Sequence, residues 1–177
     1  MSTTPAEPTT PPLGALREPA HLVSPKAPTY WRAKAAITLV IEAVILIGIW
    51  WALGHFAGID SWWRHAVLGV LLAASAIEVV VAPPVRYRIH RWEVTEDAVY
   101  TRRGWINREQ RIAPLARVQT VDLAQGPLMR SFGLSSITVT TASSAGAISI
   151  DCLDDDVAQR VVAELTAITA RTPGDGT

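Results

Sequence analysis

The sequence predicts an α+β membrane protein, in which a hairpin of two transmembrane helices precedes a small antiparallel β domain capped by a C-terminal helix. Three observations carry this prediction. The 177 residues are 49% hydrophobic and include 7 tryptophans, which is unusual for a soluble domain of this length. Two long apolar runs stand in the first half of the chain. The second half changes to short alternating segments, followed by one amphipathic helix.

The first 30 residues are rich in proline and poor in large apolar side chains, so we expect a disordered cytoplasmic tail there. They lack the basic start and short apolar stretch of a secretory signal, so we expect the first apolar run to be retained. The predicted organisation is a tail over residues 1–30, a transmembrane hairpin over 31–84, a β domain over 85–171 and a short disordered tail over 172–177.

The two apolar runs are long enough to cross a bilayer. At about 1.5 Å per residue, each run with its flanks reaches across the ~30 Å hydrocarbon core, and we place the spans at about 33–53 and 64–82. Tryptophans flank both runs at the depth where indoles favour a membrane interface. These interface anchors are Trp31, Trp50, Trp51, Trp62 and Trp63. The alternative is a pair of buried helices in a soluble bundle.

The distribution of basic residues predicts the orientation of the hairpin. Basic side chains precede the first span and follow the second, whereas the connection between the spans carries only Arg64. The positive-inside rule therefore predicts a multi-pass protein of the cell membrane with both termini in the cytoplasm. Pro83 and Pro84 are expected to end the second helix, because proline breaks the helical hydrogen-bond ladder.

The second half predicts strands first and one helix last. Alternation of apolar and polar residues predicts strands over residues 86–94, 98–104, 108–112, 118–123, 136–142 and 147–151. The last two form a hairpin with inward candidates Ile137, Val139, Ile148 and Ile150. Residues 154–171 predict a helix, with three acids in its first turn and Arg171 in its last. This order indicates a small, partly open barrel or folded sheet that the helix covers.

A short helix is predicted between two strands, beginning at Pro127 and ending at Gly133. Its apolar residues Leu128, Met129 and Phe132 share one face. One interpretation is a helical turn that plugs the barrel. The other is that this face touches the bilayer or a partner helix while Arg130 meets phosphate.

No arrangement of residues indicates an enzyme or a cofactor site. The four histidines are scattered, Ser143 and Ser144 stand in a turn without a nucleophile motif, and no paired-carboxylate, phosphate-loop or zinc spacing occurs. We expect no catalytic residues, no metal and no cofactor. The lone Cys152 cannot form an intrachain disulfide and is expected to be a small buried side chain.

Five segments follow one another in the second half of the chain: WEVT at 92–95, VYTRRG at 99–104, RIAPLARVQTVD at 111–122, GPLMRSFGL at 126–134 and ITVTTA at 137–142. Together they resemble the membrane-flanked bacterial pleckstrin-homology (PH-like) family, in particular its YdbS-like group. The resemblance covers roughly residues 30–170, with both spans in the expected place. It implies two packed antiparallel sheets capped by a C-terminal helix, and it implies little about mechanism.

One property of other PH domains does not transfer. Those that bind phosphoinositides carry basic residues around the first hairpin, whereas the corresponding segment here is the acidic EVTED, so a phosphoinositide headgroup site is not supported there. The formal net charge of +0 gives no argument for nucleic acid. Residues 86–130 nevertheless hold nine arginines against five carboxylates, and this half could hold the domain against anionic lipid. The alternative is a solvated surface with local ion pairs. The candidate interaction surface comprises Arg102, Arg103, Arg111, Arg117, Arg130 and Phe132.

Two glutamates fall within the spans. A carboxylate in hydrocarbon is costly, so each should face protein, be protonated or reach the interface. Glu42 lies at the depth of Ser75 and Glu78 is shallower, so we predict a contact from Glu42 to Ser75 and no pair of glutamates. Gly69, Ala73 and Ala76 form a strip of small residues for close approach of the spans or of a second copy.

The functional hypothesis is a non-enzymatic membrane protein that presents its β domain at the cytoplasmic face for interaction with a protein or with the membrane surface. Its partners would be the lipid bilayer and a membrane or cytoplasmic protein, or a second copy of the chain. The alternative is an accessory subunit of an oligomeric transport or secretion assembly that uses Glu42.

Overall fold

The computed structural model describes residues 18–56, 58, 61–104, 107–142 and 146–171. The helices are α1 (Ala27–His55), α2 (Trp62–Ile89), α3 (Pro127–Ser131) and α4 (Asp155–Arg171). The strands are β1 (His21–Leu22), β2 (Arg91–Val94), β3 (Ala98–Gly104), β4 (Arg108–Pro114), β5 (Val118–Ala124), β6 (Leu134–Thr141) and β7 (Ile148–Asp154), with a 3-10 turn at Leu115–Arg117. Two apolar helices, antiparallel sheets and a C-terminal helix follow one another, which confirms the predicted α+β class.

The helices α1 and α2 pack against each other as a hairpin and leave most of their apolar surface uncovered. Val44 and Val70 are each 68% exposed, and no residue in the most apolar stretch of α1 is buried inside the protein. A helix pair within a soluble bundle would bury these side chains, so that alternative does not fit the structure. Exposed apolar surface of this extent is what a lipid environment accommodates.

The prediction that Pro83 and Pro84 end the second helix is wrong, because α2 continues to Ile89. Each proline removes only the hydrogen bond to the carbonyl four residues earlier, and the helix can resume where packing supports it. Pro83 is fully buried, and the backbone N–H of His90 donates to the carbonyl of Arg86 at 2.8 Å, which closes the last turn. Residues 86–89, predicted as strand, are therefore helical.

The N-terminal prediction is also wrong for the residues that the structure describes. The strand β1 pairs with β2, and α1 begins at Ala27 with Pro28 in its first turn, where the missing N–H costs nothing. The Ser24 N–H donates to the Cys152 carbonyl at 2.9 Å. Residues 18–30 thus belong to the fold, while the tails predicted over residues 1–17 and 172–177 lie outside the described residues.

Two antiparallel sheets form the β domain, one in the order β1-β2-β3-β4 and the other in the order β5-β6-β7. Their facing sides and α4 enclose the main core, to which Val99, Leu153 and Leu165 contribute fully buried side chains. The four predicted inward residues of the last hairpin are all buried there, which confirms that prediction: Ile137, Val139, Ile148 and Ile150. Burying one such side chain contributes about 1.5 to 3 kcal/mol.

A second hydrophobic cluster joins the β domain to the start of α1. We call it the docking cluster, and its buried members are Val23, Ala27, Tyr30, Trp31, Leu134 and Cys152. The Tyr30 ring meets Phe132 of the α3 segment edge to face, with centroids 6.0 Å apart. An ion pair from Lys26 to Asp154, at 2.9 Å, lies beside this cluster. The hairpin and the domain therefore share a packed interface.

Candidate functional site

Strand alternation directs neighbouring arginines of β3 to opposite faces of the sheet. Arg103 stands opposite Glu109 in the β3–β4 ladder, on the face that carries the buried Val99 and Ala113. Arg102 points to the other face, where it pairs with Glu18. A hydrogen bond from Arg102 lowers the pKa of Glu18. The adjacent arginines of the predicted interaction surface are thus separated by the sheet.

A small charged network closes the end of the inner face. The Nε of Arg103 donates to Glu109 at 2.8 Å and the Nε of Arg111 donates to the other carboxylate oxygen at 2.5 Å. These hydrogen bonds lower the pKa of Glu109. Arg111 also donates to the carbonyl of Ala147 at 3.1 Å. The carboxylate is therefore shared between two guanidinium groups.

Beyond this network lies a cleft of about 620 Å³ between the end of α2 and the start of β4. We call it the arginine cleft, and its lining comprises Trp31, Arg86, His90, Arg103, Gly104, Asn107, Arg108, Glu109 and Asp151. The His90 ring stands 5.1 Å from that of Trp31, and its Nδ1 lies 2.8 Å from the Arg86 carbonyl. Burial lowers the pKa of His90, so the imidazole is neutral at pH 7. The cleft is therefore an arginine-rich cavity at the junction of hairpin and domain.

A narrower groove of about 210 Å³ runs between α1 and α2 from the same junction into the span. We call it the hairpin groove, and it shares Trp31 and Arg86 with the arginine cleft. Glu42 and Ser75 both line it, which agrees with their predicted proximity, although a direct contact between them stays a prediction. Glu78 lies 3.7 Å from Arg86.

The strip of small residues on α2 does not serve the α1–α2 interface. Gly69, Ala73 and Ala76 are all exposed, and a Cβ added at Gly69 would meet nothing within 4 Å. Leu72, Ser75 and Val79 are less exposed and lie about a quarter of a turn around α2 from the strip. Of the two roles predicted for the strip, approach of the two spans is therefore excluded, and contact with a second copy stays a prediction.

The other members of the predicted interaction surface are dispersed. Arg117 lies exposed in the 3-10 turn, and Arg130 is exposed on α3, where its Nε donates to Gln125 at 3.4 Å. Phe132 is half-buried against Tyr30. The apolar face of α3 packs against the docking cluster, which includes the start of α1, and not against the main core between the sheets. A contact of this face with the bilayer and a contact of Arg130 with phosphate stay predictions.

The tryptophans at the two ends of the hairpin differ. Trp62 is 80% exposed, and Trp51 and Trp63 are also exposed, whereas Trp31 is only 8% exposed in the docking cluster. The Arg64 guanidinium lies 4.8 Å from the centre of the Trp50 ring, a cation–π contact. Trp31 is therefore a packing residue, and Trp50 holds the connection end of the hairpin together.

Sequence reasoning missed the cleft residues Arg86, His90, Arg108 and Asp151. The available signal was the basic run directly after the second span, which was used for orientation and for the charge count of residues 86–130 but not to locate a site. Among the described residues, no group of three histidine, cysteine or carboxylate side chains could hold a metal ion. The histidines lie at three separate places, and Ser143 and Ser144 fall outside the described residues.

Comparison with known proteins agrees with this architecture. The chain is 29% identical over 159 residues to the UPF0699 transmembrane protein YdbS of Bacillus subtilis (strain 168), covering 89% of this chain and 98% of that protein. No solved structure matches it. Neither the relative nor the family model indicates an enzyme family or favours a transport subunit. The model of the bacterial PH domain family matches residues 35–168, more than half of the chain, and the protein is therefore a transmembrane member of the bacterial PH domain family.

Proposed function

We propose that the chain is a non-enzymatic integral membrane protein that presents its PH-like domain at the cytoplasmic face of the cell membrane, as a module for interaction with the membrane surface or with a protein. The excess of basic residues on the domain side of both spans supports this orientation. The relative is itself a transmembrane protein. The predicted absence of catalysis is part of this proposal.

The docking cluster is the observation that carries the proposal. The helix α2 ends at Ile89 and β2 begins at Arg91, so His90 alone links hairpin and domain at that point. The docking cluster fixes the domain to α1 as well, through Trp31 against Leu134 and Cys152. A domain held at two places stays beside the lipid headgroups and interacts with what reaches the membrane surface.

The charge of the exposed arginines supports a role at this surface. Arg117 and Arg130 are exposed, and a basic side chain near an anionic membrane contributes about 1 kcal/mol of attraction. The same side chains can contact acidic groups of a protein. The crosslinking experiment below distinguishes a membrane partner from a protein partner.

The proposed orientation is testable by thiol labelling, because the native chain is expected to give no background labelling. Cys152 is buried, and burial raises its pKa to about 12, so the thiol does not react at neutral pH. We expect a membrane-impermeant maleimide to label Phe56→Cys, in the connection, in intact cells. It should label Ala163→Cys, on the exposed side of α4, only in inverted vesicles. The opposite pattern would place the domain outside and end the proposal.

The interaction itself is testable by crosslinking the full-length protein in its own membranes and identifying what is recovered. The variant Arg117→Glu/Arg130→Glu reverses the two exposed charges, and Arg160→Glu on α4 is the control. Proteins lost with the first variant and kept with the control would identify a docking role. Recovery of lipid and self-crosslinks alone would favour the membrane surface. Identical recovery of the same proteins with all three chains would contradict a role for these arginines.

A further inference from the structure

The arginine cleft lies at the depth of lipid phosphates. Arg86 is four residues beyond Ala82, the predicted end of the second span, which is about 6 Å along a helix. Trp31, which also lines the cleft, is two residues outside the first predicted span, about 3 Å. The headgroup layer occupies roughly 5 to 8 Å on each side of the hydrocarbon core. The cleft and the headgroups therefore meet at one level.

Two of its guanidinium groups are available to an anion. Arg103 and Arg111 share Glu109, whereas Arg86 has only the 3.7 Å contact to Glu78. Among the residues that the structure describes, Arg108 takes part in no ion pair, and it is exposed. A guanidinium presents paired N–H donors whose geometry fits phosphate oxygens.

The charge around the cleft favours an anion at its arginines. Three arginines, Arg86, Arg103 and Arg108, line the cleft with the two carboxylates Glu109 and Asp151, and His90 is neutral, which leaves one positive charge. The adjoining hairpin groove carries Glu42 and Glu78. These carboxylates repel an anion from the span, so the favoured position lies at Arg86 and Arg108.

The surroundings point to a lipid as the source of this phosphate. The volume of about 620 Å³ lies within the usual range of small-molecule sites, roughly 300 to 1,000 Å³. Trp31 and Arg86 line both the cleft and the hairpin groove, so the cleft adjoins the cytoplasmic end of the predicted spans. Basic pockets beside transmembrane helices on the cytoplasmic side are suited to lipid headgroups.

We propose that the arginine cleft binds the headgroup phosphate of an anionic glycerophospholipid of the cytoplasmic leaflet, through Arg86 and Arg108. The position is separate from the acidic EVTED turn, where a phosphoinositide site was not supported. The bound lipid bridges the end of α2 and the start of β4. This inference rests on the proposed function, because anionic lipid is concentrated in the cytoplasmic leaflet.

The test is native mass spectrometry of the purified full-length protein from nanodiscs that contain phosphatidylglycerol and phosphatidylcholine. We expect retention of phosphatidylglycerol in preference to phosphatidylcholine. Arg86→Gln and Arg108→Gln should each weaken this binding about tenfold, the loss of one charge-assisted contact. Arg160→Gln, which removes an equal charge on α4, should leave it unchanged. Asp151→Asn should tighten binding, since it removes a carboxylate from the cleft.

Equal retention of the two lipids would overturn the proposal, as would equal losses in Arg108→Gln and the control. Inorganic phosphate at millimolar concentration that occupies the site without preference for phosphatidylglycerol would also overturn the lipid assignment. Arg108 is exposed, so its variant should keep the wild-type melting temperature in phosphatidylcholine, which separates binding from folding. The thiol labelling reads orientation independently. A cytoplasmic domain without lipid preference would refute this inference alone.

Discussion

The two ends of the transmembrane hairpin use the same residue types for different purposes. At the domain end, Trp31 is buried in the docking cluster among side chains of the β domain. At the connection end, Trp62 is 80% exposed, and Arg64 covers the Trp50 ring. An aromatic flank of a span therefore does not by itself identify a lipid anchor. What the chain places beside it decides whether it packs or faces lipid.

The largest expected effect is the loss of the docking cluster. Trp31→Ala should lower the free energy of unfolding by about 3 to 5 kcal/mol, the usual cost of truncating a buried tryptophan. Trp62→Ala should cost less than about 1 kcal/mol, because the ring is exposed. Denaturant unfolding in micelles, with limited trypsin digestion near His90, measures both. Equal losses in the two variants would break the contrast between the ends of the hairpin.

An intermediate effect is expected at the connection end. A Cβ on Gly54 would overlap the Nη1 of Arg64, so Gly54→Ala must displace the guanidinium from Trp50. The lost cation–π contact is worth about 0.5 to 2 kcal/mol. Gly48→Ala is the matched control, because a Cβ there meets nothing within 4 Å. Melting temperatures in detergent compare the two variants. A control as damaging as Gly54→Ala would show that helix glycines matter here for another reason.

A smaller, pH-dependent effect is expected at the junction. Burial lowers the pKa of His90 below its ordinary value of 6.5; the charges of Arg86 and Arg103 act in the same direction, and the hydrogen bond to the Arg86 carbonyl and the charge of Asp151 act against it. The folded state then binds fewer protons than the unfolded state, so stability is complete above 6.5 and declines as the pH falls below it. The melting temperature should decrease between pH 7.5 and pH 5.5, and the decrease should be smaller in the variant His90→Gln. A steeper decline in the variant would refute this assignment.

Periodicity was sufficient for most elements but not for the junction. The spans and the buried hairpin residues Ile137 and Ile150 followed from apolar spacing alone. Residues 86–89 alternate like a strand, yet they extend a helix whose prolines are held by packing that no local pattern records. Residues 18–30 likewise adopt a defined structure because they contact β2 and Cys152, which are distant in sequence.

The candidate site could be predicted only in part for the same reason. Arg102, Arg103 and Arg111 were identified as candidates, but the side of the sheet that each occupies depends on register, which separates Arg102 from Arg103. The cleft needs Arg86 and Asp151 from opposite ends of the domain. Residue counts give the excess of positive charge in this half of the chain. The positions of these charges in space depend on the tertiary structure.

The most direct test of whether the β domain is fixed to the hairpin is the distance distribution between spin labels at Phe56→Cys and Ala163→Cys. It is measured by pulsed electron paramagnetic resonance in nanodiscs. The buried Cys152 stays unlabelled, so only the two introduced thiols report. A domain fixed by the docking cluster gives one narrow distribution, which broadens when Trp31→Ala is added. A broad distribution in the otherwise native chain would mean that the domain swings freely from the hairpin and would contradict the account.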